Sequence, residues 1–150
     1  MHLIRRFVGF VTADPLSPRE QAYVSHLLRP ALARAFFAQR HEDQRHALDV
    51  QHRAGGSDER AEAALLHDVG KTESDVGAIG RSLATLLSGV GVPIRGRWLR
   101  YLDHSSIGAK KLSSLGASDL SVAFARHHPG SPPEGIDPEE WRALEEADEA

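Results

Sequence analysis

Apolar residues recur along this chain at intervals of three and four, and no segment alternates apolar and polar positions for long enough to argue for a half-buried strand. The pattern predicts an all-α fold of short helices. Ser17, Pro18 and Glu20 place a capping side chain, a first-turn proline and an acid at the third position, so a helix starts there and stops near Leu28. Pro30 cannot donate a backbone hydrogen bond and disfavours helix at Arg29, which predicts a second helix over Ala31 to Ala38, set at an angle. A third, from Glu42 to Ala54, carries Ala47, Val50 and Ala54 at helical spacing and ends at Gly55-Gly56. Ser57 caps the next, from Asp58 to about Asp68. Its second half is apolar on most sides, the mark of a buried central helix whose C-terminal end meets something polar.

Further helices are predicted from Asp75 to Ser88, Arg97 through Tyr101, Ser105 to Leu115, Asp119 to His128 and Pro138 to Glu149. Asp137, Pro138 and Glu140 repeat the cap, proline and acid pattern at the last of these. The loop Pro129 to Ile136 follows directly on a histidine pair and is the least regular segment. Phe36, Phe37, Trp98 and Trp141 are the expected core aromatics.

The chain has 150 residues, 41% of them hydrophobic and 26% charged, which suits one globular domain: residues 1–40 as an N-terminal helical extension and 41–150 as the core. The net charge is −3 with basic residues scattered, so a nucleic-acid polymer or an anionic membrane is not the expected partner. No apolar run approaches the roughly 18 residues of a spanning helix, and Phe7 to Ala13 is too short for a signal peptide; a cytoplasmic location is expected. A small molecule is the expected partner, and a homodimer is compatible with this composition.

There is no cysteine, so any metal must be held by His, Asp or Glu. Nine histidines are present, and His46, His67-Asp68, His104, His127-His128 and Asp148 each fall on or beside a different predicted helix. Ligands one helix apart in sequence can converge on one point in a bundle. Imidazole and carboxylate without sulfur suit a divalent transition metal, Fe, Mn, Zn, Ni or Co, with Mg as a further candidate. Adjacent residues on a helix point about 100° apart, so His67 and Asp68 can share an ion only at a helix end, where Gly70 lets the backbone turn. Lys71 follows as a cation suited to a phosphate oxygen.

The run Ala63-Ala64-Leu65-Leu66-His67-Asp68-Val69-Gly70-Lys71 resembles the signature of the HD-domain superfamily of metal-dependent phosphohydrolases, whose fold is an all-helical bundle. Gln44-Arg45-His46-Ala47-Leu48-Asp49-Val50 is similar to that family's first ligand helix, and Glu145-Glu146-Ala147-Asp148-Glu149 to its last ligand segment. The resemblance covers roughly His41 to the C-terminus and implies that His46, His67, Asp68 and Asp148 hold one metal. His104-Ser105-Ser106-Ile107-Gly108-Ala109 and Arg126-His127-His128 resemble the members with a second metal, including the HD-GYP phosphodiesterases. That similarity implies a binuclear centre in which His104, His127 and His128 hold the second ion and Asp68 bridges. The Gly-Tyr-Pro element itself is missing: the chain reads Pro129-Gly130-Ser131-Pro132-Pro133-Glu134-Gly135 after the pair, which argues against cyclic di-GMP as the specific substrate.

Hydrolysis of a small phosphate-containing molecule by metal-activated water is the expected activity, with Asp68 and Lys71 as the catalytic residues. Two alternatives share the same ligands. One is a di-iron oxygenase using His46, His67, Asp68, His104, His127 and Asp148; the other is a metal-bearing sensor without turnover.

Overall fold

In the computed structural model, residues 13–74 and 104–150 are described. They form seven α-helices, one 3-10 segment and no strand, so the all-α expectation holds. The helices are α1 (Pro18–Leu27), α2 (Pro30–Phe37), α3 (His41–Ala54), α4 (Asp58–Leu66), α5 (His104–Ser114), α6 (Asp119–His127) and α7 (Pro138–Glu149), with the 3-10 segment Val69–Ser74 after α4. The helices expected over Asp75 to Ser88 and Arg97 through Tyr101, with Trp98, lie outside the described residues. No helix among the described residues is long and apolar enough to cross a membrane.

Local chemistry sets most of the boundaries. Ser17 and Glu20 form a reciprocal capping box at α1. Ser57 and Ser118 accept from Arg60 N and Ser121 N at the starts of α4 and α6, and Asp137 from Glu139 N at α7. Leu28 leaves the helical region (φ −105°, ψ 139°), so α1 and α2 are separate helices. Gly55 ends α3 at φ 55°, a conformation that a side chain would strain.

Helix α4 is central. Ala61, Ala63, Ala64, Leu65 and Leu66 are all buried, and the helix packs against α1, α2, α3, α6 and α7. Two apolar clusters meet along it. One joins Val24, Leu28, Leu32 and Phe36 of the N-terminal helices to Leu48, Leu65, Leu66 and Leu112; the other joins Val50, Ala63 and Ala64 to Phe124, Trp141 and Leu144. Residues 18–37 therefore help to build the core and brace α4. Glu62 on the same helix accepts from Ser118 N (2.7 Å) and Ser121 Oγ (2.9 Å), tying α4 to the start of α6.

The sequence predicts helix as far as about Asp68, but α4 stops at Leu66 and the chain tightens into the 3-10 segment. Helix α5 lies across this segment at close range. A Cβ added at Gly108 would stand 3.1 Å from Gly70 N and 3.3 Å from Gly70 Cα.

Candidate metal centre

The end of α4 delivers His67 and Asp68 side by side, both buried. From His67 the ring turns Nδ1 back to the Ala64 carbonyl at 2.8 Å, one turn earlier. Its Nε2 then faces Asp68 Oδ2 at 3.4 Å and Asp148 Oδ1 at 3.5 Å. Helix α3 brings His46, whose Nε2 lies 2.8 Å from Asp148 Oδ1, and the His46 and His67 rings meet edge to face with centroids 5.5 Å apart. The ligand atoms of His46, His67 and Asp68 all lie within 4.8 Å of one another. Asp148 comes from the last turn of α7, two turns beyond Trp141 on the buried side of that helix.

Of the adjacent histidines only His128 reaches this cluster. It lies just past the end of α6, in extended backbone (φ −73°, ψ 137°), and its Nε2 donates to Asp148 Oδ2 at 2.9 Å. His127 is exposed on the other side and lines a separate cavity of about 300 Å³ with Asp119, Arg126 and Glu134. The two members of the pair, expected to serve one ion, thus face apart, because His127 is the last residue of α6 and His128 lies beyond it in extended backbone. His104 opens α5, but its side chain lies outside the described residues. Lys71 Nζ pairs with Asp68 Oδ2.

Burying this much charge is unfavourable unless each charge is paired. Burial acts to raise the Asp68 carboxyl, but Lys71 and His67 outweigh it and hold the group well below the ordinary carboxylate range. At Asp148, burial is likewise opposed by hydrogen bonds from His128 and His46 and by the charge of His67, with a net downward shift. For His67 burial favours the neutral ring, yet the carboxylates of Asp68 and Asp148 push it up to about 9. Both acids are therefore ionised at neutral pH, and the metal-free cluster holds a proton on His67.

A cavity of about 380 Å³ opens over these groups, within the roughly 300–1,000 Å³ usual for small-molecule sites. Ser105, Phe124 and Pro129 complete its wall. The sequence reading missed Phe124, whose ring stacks on His128 with centroids 4.5 Å apart and an interplanar angle of 27°. Its i, i+4 spacing to His128 was the available signal. The donor set fits a divalent transition ion: two imidazole nitrogens and two carboxylates, no sulfur, with His67 oriented through its other nitrogen by a backbone carbonyl.

Comparison with protein-family models, with curated proteins and with solved structures finds no match for this chain. Its chemistry is read from its own geometry.

Proposed function

We propose that this chain is a metal-dependent phosphohydrolase with a bundle of the HD type, in which His46, His67, Asp68 and Asp148 hold a divalent transition ion. One observation carries the reading: His46 of α3 and His67 and Asp68 at the end of α4 bring their ligand atoms within 4.8 Å of one another beneath a cavity, and Asp148 of α7, far away in sequence, reaches both imidazoles. Three imidazoles gathered on two carboxylates beneath a concavity are more than a structural ion pair requires.

When bound, the ion supplies Lewis acidity, which activates water and polarises a phosphoryl oxygen. Asp68 and Asp148, ionised through the neutral range, accept hydrogen bonds without donating them and so orient a water for attack. Lys71 lines the same cavity and offers an ammonium to a phosphate oxygen. Phe124 and Pro129 give part of the wall an apolar surface that excludes competing water.

The test is turnover of a panel of nucleotides, cyclic dinucleotides and phosphomonoesters by protein loaded in turn with Mn2+, Co2+, Fe2+ and Zn2+. Release of phosphate or of a monoester is the expected result. A panel left untouched under every metal overturns the reading.

A further inference from the structure

His128 is held through its backbone, its ring face and one ring nitrogen. Its backbone N–H donates to Phe124 O at 3.0 Å, and its ring stacks on Phe124. Two residues on, Gly130 O accepts from Trp141 Nε1 at 3.0 Å, so the segment carrying His128 is fastened to α7. Asp148, the acceptor of His128 Nε2, lies on that same helix. The other ring nitrogen, Nδ1, is buried and has no hydrogen-bond partner among the described residues.

A nitrogen with no acceptor in front of it has no use for a proton, so the proton belongs on Nε2, where it points at Asp148 Oδ2. That hydrogen bond occupies one carboxylate oxygen and leaves the other, Oδ1, turned toward His46 Nε2 at 2.8 Å and His67 Nε2 at 3.5 Å. A metal-binding carboxylate is commonly fixed in this way by a donor on its far oxygen. We infer that His128 is a positioning residue, a donor that locks the Asp148 carboxylate with Oδ1 facing the ion, and does not itself hold a second ion. The inference rests on the metal reading above and departs from the second-ion role that the sequence resemblance implies for His128.

Metal-stripped protein titrated with Co2+, followed optically and by calorimetry, separates the two roles. Two substitutions are compared: His128→Phe keeps a ring against Phe124 but no donor, and His128→Gln restores an N–H near the position of Nε2. The expected result is an unchanged number of ions per chain, an affinity about 10- to 100-fold weaker in His128→Phe, and recovery of most of that loss in His128→Gln. Loss of one ion per chain in His128→Phe would make His128 a ligand and overturn the inference. Equal affinity in His128→Phe and wild type, or a His128→Gln variant as weak as His128→Phe, overturns it too. A wild-type chain that binds no Co2+ overturns the metal reading, and this role with it. Independently of any variant, the 15N shifts of the His128 ring are expected to report a proton at Nε2, and a ring without one overturns the assignment.

Discussion

At its N-terminal end α7 is tied to α4 through Glu140, which accepts from Arg60 Nε at 2.6 Å and from Ser57 Oγ at 3.3 Å. At its C-terminal end Asp148 meets His46 of α3 and His128 after α6, each through one oxygen. The first junction is one cation on one anion in a partly buried pair, and the remaining Arg60 N–H contact goes to the Ala54 carbonyl. The second gathers three imidazoles and an ammonium around two carboxylates in a concavity. A chain that needed only to fasten α7 had the cheaper device available, and used it at Glu140. The excess at Asp148 over the staple on the same helix is what the proposed metal site accounts for.

Removing what the two ends share has the largest expected effect. Trp141, 1% exposed, packs edge to face on Phe124 and anchors Gly130. Trp141→Ala is expected to lower stability by about 3–5 kcal/mol in urea titrations and to weaken metal binding as the His128 segment loosens. Retained stability would mean that the cluster around Phe124 is not the keystone of α7.

Next comes the pair that sets the two ends against each other. Asp148→Asn is expected to weaken Co2+ binding by more than about 100-fold, beyond the usual loss of an outer partner. Equal losses of metal affinity in Asp148→Asn and Glu140→Gln would erase the distinction drawn here.

The pH dependence is smaller when read per pH unit, and it has a definite sign. With His67 held up at about 9, protons compete with a cation for Nε2 below that pH. Metal affinity is expected to rise by up to about tenfold per pH unit toward pH 9 and then level off. Metal-free stability runs the other way for this group: its contribution is fully present below about pH 6.5, the ordinary imidazole value, and is lost as pH rises through about 9. Titrations with Co2+ and urea between about pH 6 and pH 9 read both limbs, and a flat metal curve sinks the assignment of His67 as a ligand.

The smallest effect belongs to the staple. Glu140→Gln is expected to cost about 1 kcal/mol of stability or less, as partly exposed pairs do, and to leave Co2+ affinity unchanged.

The helix starts were legible because capping is a matter of adjacent residues: Ser17 with Glu20, Ser57 and Asp137 carry their signal within one turn. The break before Pro30 was legible for the same reason. The end of α4 was not. Whether a chain leaves the α-helix at Leu66 or at Asp68 depends on what packs on the next turn, here α5 against Gly70, which is distant in sequence. Within the site, ligand-bearing residues could be picked from their types and their spread over separate helices. Partners could not. The direction of His128 is set by backbone beyond the last turn of α6, and helical phase does not extend there, so nothing local separated it from His127.

Gly108 and Gly70 meet with no side chain between them. Side chains yield to pressure by changing rotamer, but main chain against main chain does not, so the segment bearing Asp68 and Lys71 rests on an incompressible backing. Efforts to widen what the cavity admits therefore belong at its mouth, with the exposed Pro129 and Glu149 and the half-buried Ser105, one turn from Gly108 on α5. Even one methyl group at 108 presses from behind, on main chain that must give by a few tenths of an ångström to admit it.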